Sequence, residues 1–210
     1  MSQFLVLRLA DPISWIITDA DGGRIGPVSI GGLADAAPLA AERPLVVIAP
    51  GASVTFAQPE LPVKGGARVA QIVPYAMEEL LAGEVEQFHF AVGRTDAEGR
   101  TLVAAVRRDE LRGWMDALKS AGLDPQALVP EPLCVPDNPG KTVAVIDAGR
   151  LLVRAPGALP VALDAEPLTE AFTLAGLEGE DRHVQLFVSQ QDWQNSSEMI
   201  EALREVTGSL

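Results

Sequence analysis

The segment Leu45-Val-Val-Ile-Ala49 contains no polar side chain and is closed at once by Pro50-Gly51. An uninterrupted apolar run of this length predicts a strand buried on both faces, which requires a sheet covered on each side. That requirement directs the chain toward an α/β layer architecture. Apolar residues make up 48% of the 210 positions, enough for a packed core and too many for a disordered chain.

The segments around this strand fit the same architecture. Phe4 to Leu9 and Ile13 to Thr18 read as strands separated by Asp11-Pro12, and Asp21-Gly22-Gly23 supplies a hairpin turn before a third strand, Ile25 to Ile30. Ala67 to Leu81 carries Val69, Ile72, Val73, Ala76 and Leu80 on one helical stripe, with Pro74 predicted to kink or restart the helix. Phe88 to Val92 and Leu102 to Val106 form a strand pair around Ala97-Glu98-Gly99. A helix follows, capped by Asp109, striped by Leu111, Trp114, Met115 and Leu118, and closed by Gly122.

Pro130, Pro132, Pro136 and Pro139 mark a lobe boundary, giving a first lobe over 1–139 and a second over 140–210. In the second lobe, Thr142 to Ile146 pairs with Leu151 to Arg154 across Asp147-Ala148-Gly149. Leu168, Ala171, Phe172 and Ala175 stripe a helix between Pro167 and Gly176, and Val184 to Val188 is a second strand of the buried type. Ser189 and Asp192 resemble a capping box for a last helix with Trp193, Ile200 and Leu203. Strands and helices thus alternate twice, each set opening on a hairpin, so two similar α/β lobes are expected. No sequence repeat establishes duplication.

Charge and cysteine content exclude several function classes. The net charge of −13 argues against nucleic acid, whose phosphates need clustered Lys and Arg. From Asp164 onward, ten acidic residues face only Arg182 and Arg204. That tail is either a solvated surface or a face that steers a basic partner. No apolar run approaches the roughly 18 residues needed to cross a bilayer. The single Cys134 rules out an internal disulfide, and the N-terminus lacks a secretory signal, so a reducing, cytoplasmic setting is expected.

Catalytic motifs are missing. Gly140-Lys141-Thr142 matches the end of a phosphate-binding P-loop, but the first glycine of that motif is replaced by Val135 and a strand follows where a helix is required. The triplet reads as a turn. His89 is expected to face outward from its strand and His183 to lie in a loop. Gly51-Ala52-Ser53 lacks the second glycine of a nucleophile elbow, and Cys134 reads as a small core residue. Asp19 and Asp21 are explained by turn chemistry rather than metal binding. Glu78, Glu79, Glu84 and Glu86 read as an exposed helix end and loop. No catalytic, cofactor or metal residues are assigned.

Three stretches, in order and spacing, resemble the cytoplasmic domain of the type II secretion system protein L family. They are Arg43 to Gly51 with Leu61-Pro62, then Gln71 to Glu79 with Glu84-Val-Glu86 and His89-Phe90, then Trp114 to Leu118 with Ala121-Gly122-Leu123 and Val129-Pro130. The resemblance implies an actin-like (ribonuclease H-like) two-lobe fold with mixed sheets flanked by helices. It implies a non-enzymatic, inner-membrane platform component that recruits the secretion ATPase by its N-terminal domain (protein E). It further implies contact with proteins M and F, self-association as a homodimer, a position on the cytoplasmic face of the bacterial inner membrane, and an anchoring membrane helix lying outside this sequence.

Actin-like ATPases hold phosphates on two hairpins of the Asp-x-Gly type. Here the first offers Leu9-Ala10-Asp11-Pro12 with no glycine, and the second offers Asp147-Ala148-Gly149-Arg150, with Arg150 where a small residue is expected. No cofactor is therefore expected. The alternative is an actin-like nucleotide-binding scaffold of the type IV pilus assembly kind. The docking surface is assigned to the acidic side of the last helix: Asp192, Glu198, Glu201 and Glu205.

Overall fold

The computed structural model describes residues 2–61, 67–96, 99–203 and 207–209. The expected turn residues Ala97 and Glu98, and the assigned Glu205, lie outside them. The chain divides into two compact units, Met1–Leu128 and Val129–Leu210.

The first unit opens with β1 (Phe4–Arg8), β2 (Ser14–Thr18), β3 (Arg24–Ile30), α1 (Leu33–Ala40) and β4 (Leu45–Ala49). It continues with β5 (Val54–Ala57), α2 (Ala67–Met77), β6 (Phe88–Thr95), β7 (Thr101–Arg107), α3 (Arg108–Ser120) and β8 (Pro125–Pro130). Helix α1 and strands β5 and β8 have no counterpart in the sequence reading. Helix α1 was obscured by Pro38 inside it, and the two strands by their short, irregular patterns.

The main sheet runs β3-β2-β1-β4-β8, with β1 antiparallel to β2 and parallel to β4. Register places Leu5 beside Ile17 and Leu45, and Leu7 beside Trp15 and Val47. These side chains share one face, on which Ala36 of α1 and Leu118 of α3 pack. Strand β4 departs from expectation. Leu45, Val47 and Ala49 are buried, whereas Val46 and Ile48 on the other face are only half-buried.

Between β4 and α3 the chain builds a smaller antiparallel sheet, β5-β7-β6. Helix α2 covers it with Val69, Val73 and Met77, spaced four residues apart. Pro74 is accommodated inside α2, which ends at Met77 and tightens into a 3-10 turn over Glu78–Leu80. Leaving the α-helical period rotates Leu80 off the stripe, and it is exposed. Helix α3 ends as expected: Gly122 has φ +75°, its N–H donates to the Lys119 carbonyl, and the Leu123 N–H donates to the Leu118 carbonyl. Asp109 sits in the first turn instead of capping, where its carboxylate accepts the Glu110 N–H.

The second unit contains β9 (Thr142–Asp147), β10 (Arg150–Arg154), β11 (Val161–Asp164), α4 (Leu168–Leu174), β12 (Gly179–Val188), α5 (Gln190–Ala202) and β13 (Thr207–Ser209). Its sheet runs β11-β10-β9-β12-β13, with β9 antiparallel to β10 and parallel to β12. The first four strands of this sheet repeat the order and directions of β3-β2-β1-β4. The repetition that sequence does not establish is explicit in topology.

Strand β9 meets the two-faced burial expected of β4. Ala144 and Ile146 enter the core under α4 and α5, which holds Leu168, Phe172, Ile200 and Leu203. Val143, on the opposite face, packs with Val135 and Leu152. That second cover comes from the proline-rich segment, whose 3-10 turn over Glu131–Cys134 packs against β10 and β11. The prolines read as a lobe boundary thus lie within the second unit and act as a lid on its sheet. They also leave Cys134 exposed, contrary to the core reading. Strand β12 is less enclosed than expected, since Phe187 is 47% exposed on the face of Val145. His183 lies in β12 and not in a loop.

Candidate functional site

The two hairpins that open the sheets occupy equivalent places, and their chemistry differs. At β1–β2 the turn contains Asp11-Pro12, joined by a cis peptide, with no glycine and no residue of positive φ. Pro12 has no N–H, so one amide that could face a ligand is missing. The Leu9 N–H is used by the Ile48 carbonyl at 2.9 Å. This hairpin lacks the glycine and the left-handed residues present in the second one.

At β9–β10, Asp147 pairs with Arg150 and the turn consists of Ala148 and Gly149. Both have positive φ, +51° and +71°, and Ala148 is the one described non-glycine residue in that region. Two successive left-handed residues turn their N–H groups to one side of the hairpin. The turn keeps a left-handed backbone although Arg150 stands where a small residue is expected, and its amides are engaged. Ala148 N donates to Oδ2 of Asp192 at 2.9 Å, and Gly149 N donates to Oδ1 at 3.2 Å. Arg150 turns away and pairs its Nη1 with Asp164 Oδ1 at 2.7 Å across β10–β11.

Asp192 is placed by the start of α5. Its own N–H donates to Ser189 Oγ at 3.1 Å, and Ser189 Oγ–H donates back to its carboxylate. Half of the capping box read from sequence is present: Ser189 caps the Asp192 N–H, while the Ser189 N–H donates to the Ile146 carbonyl and the Asp192 carboxylate reaches the hairpin. Beside it lies a cavity of about 590 Å³ lined by Ile146, Gly149, Glu166, Leu168, Asp192 and Asn195 among others. A non-helical Ser196 interrupts α5 at the cavity wall.

The other assigned residues lie elsewhere on α5. Glu198 and Glu201 are exposed, while Asp192 is half-buried and committed to Ser189 and the hairpin. The sequence reading missed this long-range contact, for which the capping pattern gave only the local half. The third strand read from sequence is β3, which lies at the sheet edge, and the exposure of its Ile25, Val28 and Ile30 was not anticipated.

The remaining candidates resolve as turn or surface residues. Asp19 accepts the N–H groups of Asp21 and Gly23 at 3.0 and 2.7 Å, the turn role expected of it. Gly140 takes φ +75° and Thr142 begins β9, so the Gly-Lys-Thr triplet is a turn before a strand. Glu78, Glu79, Glu84 and Glu86 are exposed, as is His89. Ser53 donates to the Glu110 carboxylate. Among the described residues no group of three or more His, Cys, Asp or Glu is placed to hold a metal, and no helix is long and apolar enough to cross a membrane.

A profile of the type II secretion system protein L family matches residues 5–204. The chain belongs to this family. Protein L of Pectobacterium carotovorum subsp. carotovorum is 25% identical over 202 residues, covering 89% of this chain and 46% of that protein. The chain spans less than half the length of the curated protein L relatives it matches. Among solved structures, the cytoplasmic domain of EpsL, an inner membrane component of the type II secretion system of Vibrio cholerae, superposes with a TM-score of 0.75 at 24% identity. That match covers 90% of this chain and 83% of the EpsL domain. A Bacteroides thetaiotaomicron protein of actin-like ATPase fold and unknown function superposes with a TM-score of 0.56 at 11% identity, covering 99% and 89% of the two chains. The fold is accordingly actin-like, with mixed sheets flanked by helices in both units.

Proposed function

We propose that this protein L chain is a cytoplasmic scaffold that docks the N-terminal domain of the secretion ATPase and links it to the inner-membrane platform. Proteins M and F, and a second copy of the chain, are its other partners in that platform. The observation that carries the reading is the family match over nearly the whole chain, on a fold whose β9–β10 hairpin amides are held by Asp192 and whose β1–β2 hairpin has no glycine. A scaffold needs surface and no turnover, and both hairpins fit that division. Glu198 and Glu201 on the exposed side of α5 supply negative charge for a basic partner, while Asp192 holds the start of that helix in place. Exposed charges of this kind act mainly on association rate and salt dependence.

Gel filtration of the chain with an isolated secretion-ATPase N-terminal domain tests the reading. Co-elution as one species is expected, and two separate peaks at equimolar loading oppose it. Affinity is expected to fall as salt rises and to weaken with Glu198→Lys/Glu201→Lys. A salt-independent affinity removes the acidic face from the interface. The competing nucleotide-binding scaffold predicts a Mg–ATP thermal shift that Asp147→Ala abolishes; the carboxylate lying on the Ala148 and Gly149 amides opposes it.

A further inference from the structure

We infer that the β9–β10 hairpin is an anion-binding nest whose resident ligand is the chain's own Asp192 carboxylate, and that this carboxylate keeps phosphate out. The inference concerns a site within the second unit and stands independently of which partner the scaffold docks.

The geometry is that of a ligand in a site. Consecutive N–H groups of a left-handed turn form a concavity of positive potential that suits an oxyanion. Each oxygen of Asp192 takes one of these amides, Oδ2 from Ala148 at 2.9 Å and Oδ1 from Gly149 at 3.2 Å. Two oxygens of a phosphate group span adjacent amides in the same way. Hydrogen bonds from neutral N–H groups to an ionised carboxylate are stronger than neutral pairs. The carboxylate is also tethered, because Ser189 donates to it and the Asp192 N–H is fixed on Ser189 Oγ. An internal ligand carried on a helix start pays no translational cost on binding, so a free anion competes at a disadvantage.

The surroundings add repulsion without abolishing space. The adjacent cavity of about 590 Å³ falls within the range of small-molecule sites. Among the described residues its lining contributes the Asp192 and Glu166 carboxylates and no Lys or Arg. Arg150, the nearest cation in sequence, is paired with Asp164. Removing the Asp192 charge empties the nest, takes away one of the two carboxylates and leaves the amides facing open volume. The ligand class then admitted is an inorganic phosphate or a phosphate monoester.

The test is a titration of the ¹⁵N-labelled chain with inorganic phosphate, read at the Ala148 and Gly149 amides, with sodium chloride at matched ionic strength as reference. Wild type is expected to show no saturable shift at these amides. Asp192→Ala is expected to gain a saturable shift at both. Asp192→Asn, which keeps the side-chain shape and one acceptor oxygen, is expected to gain a weaker one. Ser189→Ala loses the cap but retains the carboxylate, so it should behave as wild type. Saturable binding by wild type overturns the inference, as does the absence of any gain in Asp192→Asn and Asp192→Ala. If Asp192→Ala does not fold, the Asn variant decides alone. An equal response to chloride marks an adventitious ion only and also overturns it.

Discussion

Asp192 shows how one residue joins a local rule to a distant one. Its Ser189 partner is legible from spacing, because a hydroxyl at the helix start accepts the N–H three residues on, and here that hydroxyl donates in turn to the carboxylate. Its second role was not legible, since the Ala148 N–H lies 44 residues away and no periodicity encodes that distance. Urea unfolding of Ser189→Ala is expected to show a loss of about 1 kcal/mol, the usual effect of deleting an N-cap hydroxyl. No loss would mean the cap is redundant with the hairpin contact. Cys134 is the reverse case. Leu133 and Val135 make it look internal, yet the 3-10 turn over Glu131–Cys134 sends it outward. Native protein is expected to react with a chromophoric disulfide reagent at one equivalent without denaturant; reaction only after unfolding contradicts the exposed placement.

Element by element, apolar runs and glycines specified most of what formed. The strand pairs β6–β7 and β9–β10, the glycine-terminated helices α3 and α4, and the turn at Asp19 all follow from local sequence. What a run cannot state is which neighbour covers it. The segments of β4 and β12 read like that of β9, but only β9 receives a lid from the proline-rich segment on its second face. The same ambiguity separates two phenylalanines. Phe172 is fully buried in the core under α4 and α5, and Phe172→Ala is expected to cost about 3–5 kcal/mol. Phe187 is 47% exposed on β12, and Phe187→Ala is expected to change stability by no more than about 1 kcal/mol. Denaturant midpoints of the two variants check the contrast. Equal losses would mean that β12 is covered on both faces.

For the whole molecule, the repeated strand order of the two sheets places one hairpin at the head of each unit. In an actin-like fold those hairpins are where phosphates are held, and here one has no glycine or left-handed residue while the other is filled from within. What remains available is surface: the exposed acids of α5 and the apolar edge of β3. On the function proposed above, this protein L chain holds the secretion ATPase without using nucleotide itself. Calorimetric titration of the ATPase N-terminal domain into the chain, with and without Mg–ATP, measures it directly. Saturable binding with the same affinity in both conditions is expected; absence of binding, or binding that appears only with Mg–ATP, would rule the proposed function out.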